Sequence, residues 1–123
     1  IMRTRLILAT LLIILALILP VYALAAELIM LEQRGCVYCK RWDKEIGGIY
    51  PKTDEGKLAP LRKVDIHDPL PDDLKGLQID RFTPTFIVMD GRTEVGRIRG
   101  YPGDEFFWFL LGSLLEELPN QAE

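Results

Sequence analysis

The sequence has few residues that bind metals or cross-link chains: among 123 residues there are two cysteines and one histidine. Two cysteines are too few for the several disulfides that staple small secreted scaffolds. A zinc site needs four ligands, so His67 and both cysteines would still require a carboxylate or a second chain. We therefore expect no metal site and no bound cofactor.

Basic residues are not in excess either, with 15 lysines and arginines against 18 aspartates and glutamates. Without Arg3 and Arg5, residues 26–123 carry 13 basic and 18 acidic residues, a net charge near −5. Nucleic acid and anionic lipid both attract basic surfaces, so neither is expected as a partner. About a hundred residues suffice for one domain with a single core, which we expect to be a monomer.

Only the start of the chain contains a long uncharged run, and this run predicts an export signal. Two arginines precede residues 6–26, which carry no charge, contain Pro20 and include the small-residue motif Ala23-Leu24-Ala25. This pattern is typical of a secretory signal peptide, so residues 1–25 are predicted to be a leader cleaved after Ala25. An uncleaved membrane anchor is the alternative, because the uncharged run is long enough to span a bilayer.

The two cysteines, Cys36 and Cys39, lie three residues apart, directly after an apolar run at 28–31 that predicts a strand. Helix-compatible residues follow, so Cys36 is expected at a helix N-terminus. The partial positive charge of that terminus favours thiolate over thiol and lowers the pKa of a reduced Cys36. Cys36 is thus the candidate nucleophile, and Cys39, one turn deeper, the candidate resolving thiol.

Three other readings of the cysteine pair remain open. A purely structural disulfide would constrain the unfolded chain little, because the loop it closes is so short. Half of a zinc site lacks enough further nitrogen or sulfur ligands. Two inert thiols are the third alternative. Redox catalysis is the hypothesis that the strand, turn and cysteine spacing favour.

Downstream, the first half of the domain predicts a helix, a loop and a second strand. Trp42, Ile46 and Ile49 have helical spacing and are expected to pack on a sheet, with Trp42 in the core rather than serving as a substrate platform. Residues 52–59 are polar and predict a loop or loose turn. Residues 61–66 predict a strand parallel to the first, if the crossover is right-handed.

The second half predicts a short helix, a hairpin and a final helix. Residues 69–78 contain the short helix, and Asp90-Gly91 is a strong hairpin signal before an edge strand at 92–99. After a turn, Asp104 is expected to cap the last helix. The broad apolar face of that helix is predicted to consist of Phe106, Phe107, Phe109, Leu110, Leu114 and Leu115.

The predicted order of strand, helix, strand, short helix, hairpin and helix is that of an α/β fold, and residues 26–118 resemble the thioredoxin superfamily. Three features carry the resemblance: Cys36-Val37-Tyr38-Cys39 at a helix start, Thr83-Pro84 before a strand, and Gly100 after the hairpin. The resemblance implies that residues 26–123 adopt a thioredoxin fold, in which a central mixed sheet of about four strands is flanked by helices.

The resemblance also implies a substrate-binding surface. In that family the proline that matches Pro84 is cis and lies against the cysteine pair, while the backbone of the residue that matches Thr83 pairs with an extended partner segment. A trans proline at the start of an edge strand is the alternative. The predicted substrate-binding residues are Thr83, Pro84, Tyr38 and Gly100.

Two neighbouring side chains are candidates for acid–base work. Thioredoxin has a buried acid six residues before the first cysteine, where this chain has Met30. Glu32 lies two residues later on the same strand face and could serve as the base for Cys39, or be a solvated strand end. His67 follows the second predicted strand, where a lone histidine is acid, base or simply solvated.

The leader and the stretch Gly35-Cys36-Val37-Tyr38-Cys39-Lys40-Arg41-Trp42 resemble periplasmic thioredoxin-like proteins that accompany bacterial sulfur oxidation. This resemblance implies thiol–disulfide exchange on protein disulfides in the periplasm, with electrons arriving from a membrane thiol donor. The redox-active group would be the Cys36–Cys39 disulfide itself. A non-catalytic adaptor, a disulfide-forming oxidant and a metal-binding module are the alternatives.

Overall fold

The computed structural model describes residues 2–18 and 25–119. The helices and strands follow in the order α1 (Met2–Ile18), β1 (Ala26–Glu32), α2 (Val37–Trp42), α3 (Asp54–Leu58), β2 (Leu61–Asp65), β3 (Thr85–Asp90), β4 (Thr93–Arg99) and α4 (Asp104–Leu115). A π-helical turn at Asp43–Gly47 continues α2, and short 3-10 turns lie at Tyr50–Lys52 and Asp72–Leu74.

The predicted leader falls partly on α1. Pro20 and the first two residues of the expected cleavage motif lie outside the described residues, so the cleavage site stays a prediction. Within residues 2–18 and 25–119, no helix combines the length and hydropathy required to span a membrane.

The four strands form one mixed sheet in the order β2-β1-β3-β4. β1 pairs with β2 in parallel and with β3 antiparallel, and β3 forms an antiparallel hairpin with β4. This confirms the predicted thioredoxin fold, with β4 at one edge and the Asp90-Gly91 hairpin as expected. β1 lies in the interior of the sheet. The turn that follows its carboxyl end, which carries the cysteines, therefore lies near the middle of one end of the sheet.

The core lies on both faces of the sheet, which is why the middle of β1 is continuously apolar. Leu28 and Met30 belong to the cluster under α2 and α4, whereas Ile29 and Leu31 belong to the cluster on the opposite face. Trp42 is fully buried between Phe86 and Phe107, so its predicted core position is confirmed. The helix that carries the cysteines is thereby anchored by a large aromatic contact.

The helix after the cysteines departs from its predicted spacing at the π-helical turn. Ile46 is fully buried, but Ile49 is 51% exposed, and the prediction that it packs on the sheet was wrong. A π turn contains more residues than an α turn, so positions after Ile46 rotate around the helix axis. Tyr50 takes the buried place and donates a hydrogen bond of 2.6 Å to the carbonyl of Ala59.

The loop predicted at 52–59 contains the short helix α3, so that prediction was wrong. Thr53 is its N-cap, and its hydroxyl oxygen accepts a hydrogen bond of 3.0 Å from the Gly56 amide. The polar residues of this stretch lie on the exposed side of a short helix that Thr53 caps, so their polarity did not indicate a loop.

Helix α4 buries a narrower stripe than its apolar residues predicted. Phe107, Leu111 and Leu115 are buried at four-residue spacing, while Phe106 and Phe109 are 64% and 69% exposed. Leu110 is exposed as well. The helix crosses the sheet along one line, and the residues beside that line stay in solvent.

Asp104 does not cap α4, contrary to the prediction. Gly103, with a φ of +101°, is the N-cap, and Asp104 is the first helical residue. Its Oδ1 accepts a hydrogen bond of 2.8 Å from the amide of Glu105 instead. The left-handed conformation at the cap favours glycine, and the helix therefore begins one residue earlier than an aspartate cap at position 104 would place it.

Candidate active site

The cysteine pair lies where β1 turns into α2. Cys36 is the N-cap of α2, and the two sulfurs form a disulfide. Cys36 is half-buried, whereas Cys39 is only 3% exposed. The amide of Cys39 donates a hydrogen bond of 3.1 Å to Sγ of Cys36. A helix-terminal N–H that has no acceptor within the helix therefore donates to the sulfur of the predicted nucleophile. In the reduced state this contact stabilises the Cys36 thiolate.

A tight turn delivers Cys36 to the helix. The amide of Cys36 donates to the carbonyl of Gln33 at 3.3 Å, and Gly35 adopts a φ of +81°, which a side chain would disfavour. Arg34 and Lys40 are exposed beside the pair. Arg41 is ion-paired with Glu45 at 2.9 Å, and the negative charge of Glu45 weakens any stabilisation that Arg41 gives to the Cys36 thiolate.

The Thr83–Pro84 peptide bond is cis, which confirms the predicted isomer. Pro84 is buried and its carbonyl accepts a hydrogen bond of 2.7 Å from the Gly100 amide. The Thr85 hydroxyl donates at 2.6 Å to the carbonyl of Phe82. Within the described residues, the main-chain N–H and carbonyl of Thr83 have no hydrogen-bond partner. They are available to pair with an extended segment of another protein.

A groove of about 320 Å³ runs beside this loop. It brings together three of the predicted substrate-binding residues, Tyr38, Thr83 and Gly100. Pro84 is buried and is not part of the lining. The groove also contains Phe82, which is 62% exposed and which the sequence reasoning missed. An aromatic residue directly before Thr83-Pro84 was the signal that could have identified it.

Gly100 is required by close approach as well as by backbone conformation. Its φ is +86°, and an added Cβ would lie 3.1 Å from Cε1 of Phe82. The position predicted from the resemblance therefore has a physical reason: any side chain there would be strained by the backbone and would force the Phe82 ring to shift by a few tenths of an ångström.

A second recess, of about 330 Å³, includes both cysteines, Glu32 and Asp43 in its lining. Lys63 links the two acids, with Nζ 2.7 Å from Oδ1 of Asp43 and 3.7 Å from Oε2 of Glu32. Burial acts to lower the Lys63 pKa, but the hydrogen bond to Asp43 and the charge of Glu32 outweigh it, and the pKa is raised.

The two acid–base candidates are thus placed differently. Met30, at the position of the family's acid, is fully buried among apolar residues and has no ionisable group. Glu32 and Cys39 line the same recess, which keeps Glu32 a candidate base for Cys39. His67 is exposed, and its Nε2 lies 3.1 Å from Oε1 of Gln33 rather than facing either sulfur.

Comparisons with known proteins agree with this geometry. Neither a family model nor a curated protein sequence matches the chain. Among solved structures, the chain is similar to the periplasmic thioredoxin SoxS from Paracoccus pantotrophus, crystallised in its reduced form. The two share 49% sequence identity with a TM-score of 0.70, over 74% of this chain and 96% of the other. At that identity and coverage, the chain belongs to the thioredoxin superfamily and is a thiol–disulfide oxidoreductase.

Proposed function

We propose that this protein is an exported reductase of disulfides or thiol adducts on periplasmic proteins. The Cys36 thiolate attacks one sulfur of the client disulfide, a Cys36–client mixed disulfide forms, and the other client sulfur leaves as a thiolate that takes up a proton. The Cys39 thiolate then attacks Sγ of Cys36 and releases the client's second thiolate. Two electrons reach the client, and the protein is left with the Cys36–Cys39 disulfide.

The unequal exposure of the two sulfurs is the observation that carries this proposal. Cys36 is half-buried at the helix start and lines an open recess, so a client sulfur can reach it. Cys39 is 3% exposed and can reach only its neighbour. Attack by one sulfur and release by the other follow from that difference in access.

The reducing direction, the membrane donor and the compartment are drawn from the resemblance. The similar protein SoxS is a periplasmic thioredoxin solved in reduced form, and the uncharged run before residue 26 has the pattern of an export leader. We infer that a membrane thiol carrier resets the disulfide by supplying two electrons. A sulfur-carrier protein of a sulfur-oxidation system is the client that the resemblance favours.

The sulfur roles can be tested by trapping. Cys39→Ser should accumulate mixed disulfides with clients, because the resolving thiol is gone, whereas Cys36→Ser should trap none. The variants are expressed in the periplasm and the adducts are resolved on non-reducing gels. Equal trapping by both variants would overturn the assignment.

Two in vitro measurements separate the reductase from its alternatives. An adaptor that uses its disulfide only as a staple would not accelerate reduction of insulin by dithiothreitol, whereas a reductase would. The reduction potential of the pair decides the direction: a value of about −270 mV supports a reductant and one of about −120 mV an oxidant.

A further inference from the structure

We propose that Gln33 is a positioning residue that holds Thr83 in place for client binding. This inference rests on the proposed exchange reaction and adds a specificity element to the same site. Gln33 is part-buried, comes directly after β1 and is neither of the two cysteines nor part of the Thr83-Pro84 motif.

Three contacts converge on Gln33. Its main-chain carbonyl accepts the Cys36 amide at 3.3 Å, which closes the turn before the nucleophile. Its side-chain Nε2 donates a hydrogen bond of 2.8 Å to Oγ1 of Thr83, fifty positions later. Its Oε1 lies 3.1 Å from Nε2 of His67, beyond the end of β2. One residue thus ties together the cysteine turn, the cis-proline loop and the end of the neighbouring strand.

The His67 contact determines which end of the amide faces Thr83. With Oε1 accepting from the imidazole, Nε2 is the atom that points to Thr83, and Oγ1 of Thr83 acts as acceptor. The orientation of the Thr83 side chain is therefore set from outside its own loop. Its main-chain N–H and carbonyl, which have no partner in the described part of the chain, then face the client in a single arrangement.

Fixing this loop before the client arrives removes an ordering cost from binding, so the effect should appear in KM rather than in the chemistry of the sulfurs. Loss of one hydrogen bond of this kind should raise the KM for a protein disulfide about three- to tenfold. The reduction potential of the cysteine pair and the rate at which iodoacetamide alkylates Cys36 should stay at wild-type values.

The test is a double-mutant cycle with Gln33→Leu and Thr83→Val, assayed on insulin and on a small aromatic disulfide. Gln33→Leu keeps the side-chain volume and removes the amide, and Thr83→Val removes only the hydroxyl acceptor. We expect each single variant to raise the KM for insulin, and the double variant to raise it no further than Thr83→Val alone. Gln78→Leu, the same change at an exposed position, is the matched control and should leave that KM unchanged.

Outcomes of the cycle separate this inference from the function beneath it. Additive effects of the two substitutions, or a Gln33→Leu enzyme with wild-type KM, would overturn the positioning role while the reductase stands. A lower reduction potential of the cysteine pair, or slower alkylation of Cys36, in Gln33→Leu would mean that Gln33 acts on the cysteines. That result would also overturn the positioning role. A wild-type protein that reduces neither substrate would contradict the proposed function itself.

Discussion

The Tyr101 hydroxyl donates a hydrogen bond of 3.0 Å to Oε2 of Glu45, although 56 positions separate the two residues. Glu45 lies in the π-helical turn after α2, and its other oxygen accepts from Arg41 at 2.9 Å. Tyr101 lines the groove beside Thr83. This contact therefore joins the helix that carries the cysteines to the wall of the groove.

The alkaline stability of the protein should depend on Tyr101. Burial, followed by the hydrogen bond to Glu45, raises the pKa of Tyr101 to about 12, above the value of about 10 for an unfolded tyrosine. A raised folded pKa contributes stability that is complete below about pH 10 and is lost as the pH rises to about 12. We expect the free energy of unfolding to fall over that range, and to fall less steeply in Tyr101→Phe. Urea titrations at several pH values measure this, and an unchanged slope would contradict it.

Substituting Gly100 should impair both stability and client binding. In Gly100→Ala the left-handed backbone costs about 1–2 kcal/mol and the new Cβ displaces the Phe82 ring. Gly76→Ala is the matched control, since Gly76 has a φ of +92° with no atom near the added Cβ. Both variants should lose stability in urea unfolding, but only Gly100→Ala should raise the KM for insulin. Equal KM values would mean that Phe82 does not shape the groove.

Two other glycines should respond to alanine in opposite directions. An added Cβ at Gly56 would lie 1.8 Å from the Tyr50 carbonyl oxygen, so Gly56→Ala should destabilise the protein by about 1–3 kcal/mol. Gly112 lies inside α4 with open space around it, and Gly112→Ala should stabilise by about 0.5–1 kcal/mol. Thermal unfolding of the two variants checks both signs. A neutral Gly56→Ala would contradict the close packing of α3 against Tyr50.

Glu32 should affect the second chemical step and not the first. If Glu32 accepts the Cys39 proton through water, Glu32→Gln should slow release of a mixed disulfide about tenfold or more, while attack by Cys36 is unchanged. Rapid acid quench followed by mass spectrometry resolves the two steps. Asp65→Asn is the control, because Asp65 lines the same recess but accepts a hydrogen bond from the His67 amide. If both variants slow the release step to a similar extent, the effect comes from the loss of a negative charge in the recess, and the role of Glu32 as a base is contradicted.

Much of the fold was predictable because its signals are local. The apolar run before Cys36, the parallel strand after it and the Asp90-Gly91 turn each depend on neighbouring residues, and all three are present. The cis Pro84 was also predicted correctly, but through family resemblance rather than local chemistry.

The two wrong predictions about buried helix faces share a cause. Ile49 turned outward because a π turn shifted the helical phase, and Phe106 and Phe109 stayed exposed because only one stripe of α4 meets the sheet. Helical spacing predicts which residues share a face, but the packing of neighbouring elements decides which face is buried and how wide it is.

The sequence by itself determined the chemistry of this protein: two cysteines one helical turn apart, a turn that ends the buried strand β1, and a Thr-Pro pair before β3. Only the tertiary structure decided how the site is held, through Gln33 on Thr83 and Tyr101 on Glu45. Residues fifty or more positions apart meet only once the sheet has formed, and a hydrogen bond between such side chains leaves no periodic or local pattern in the chain.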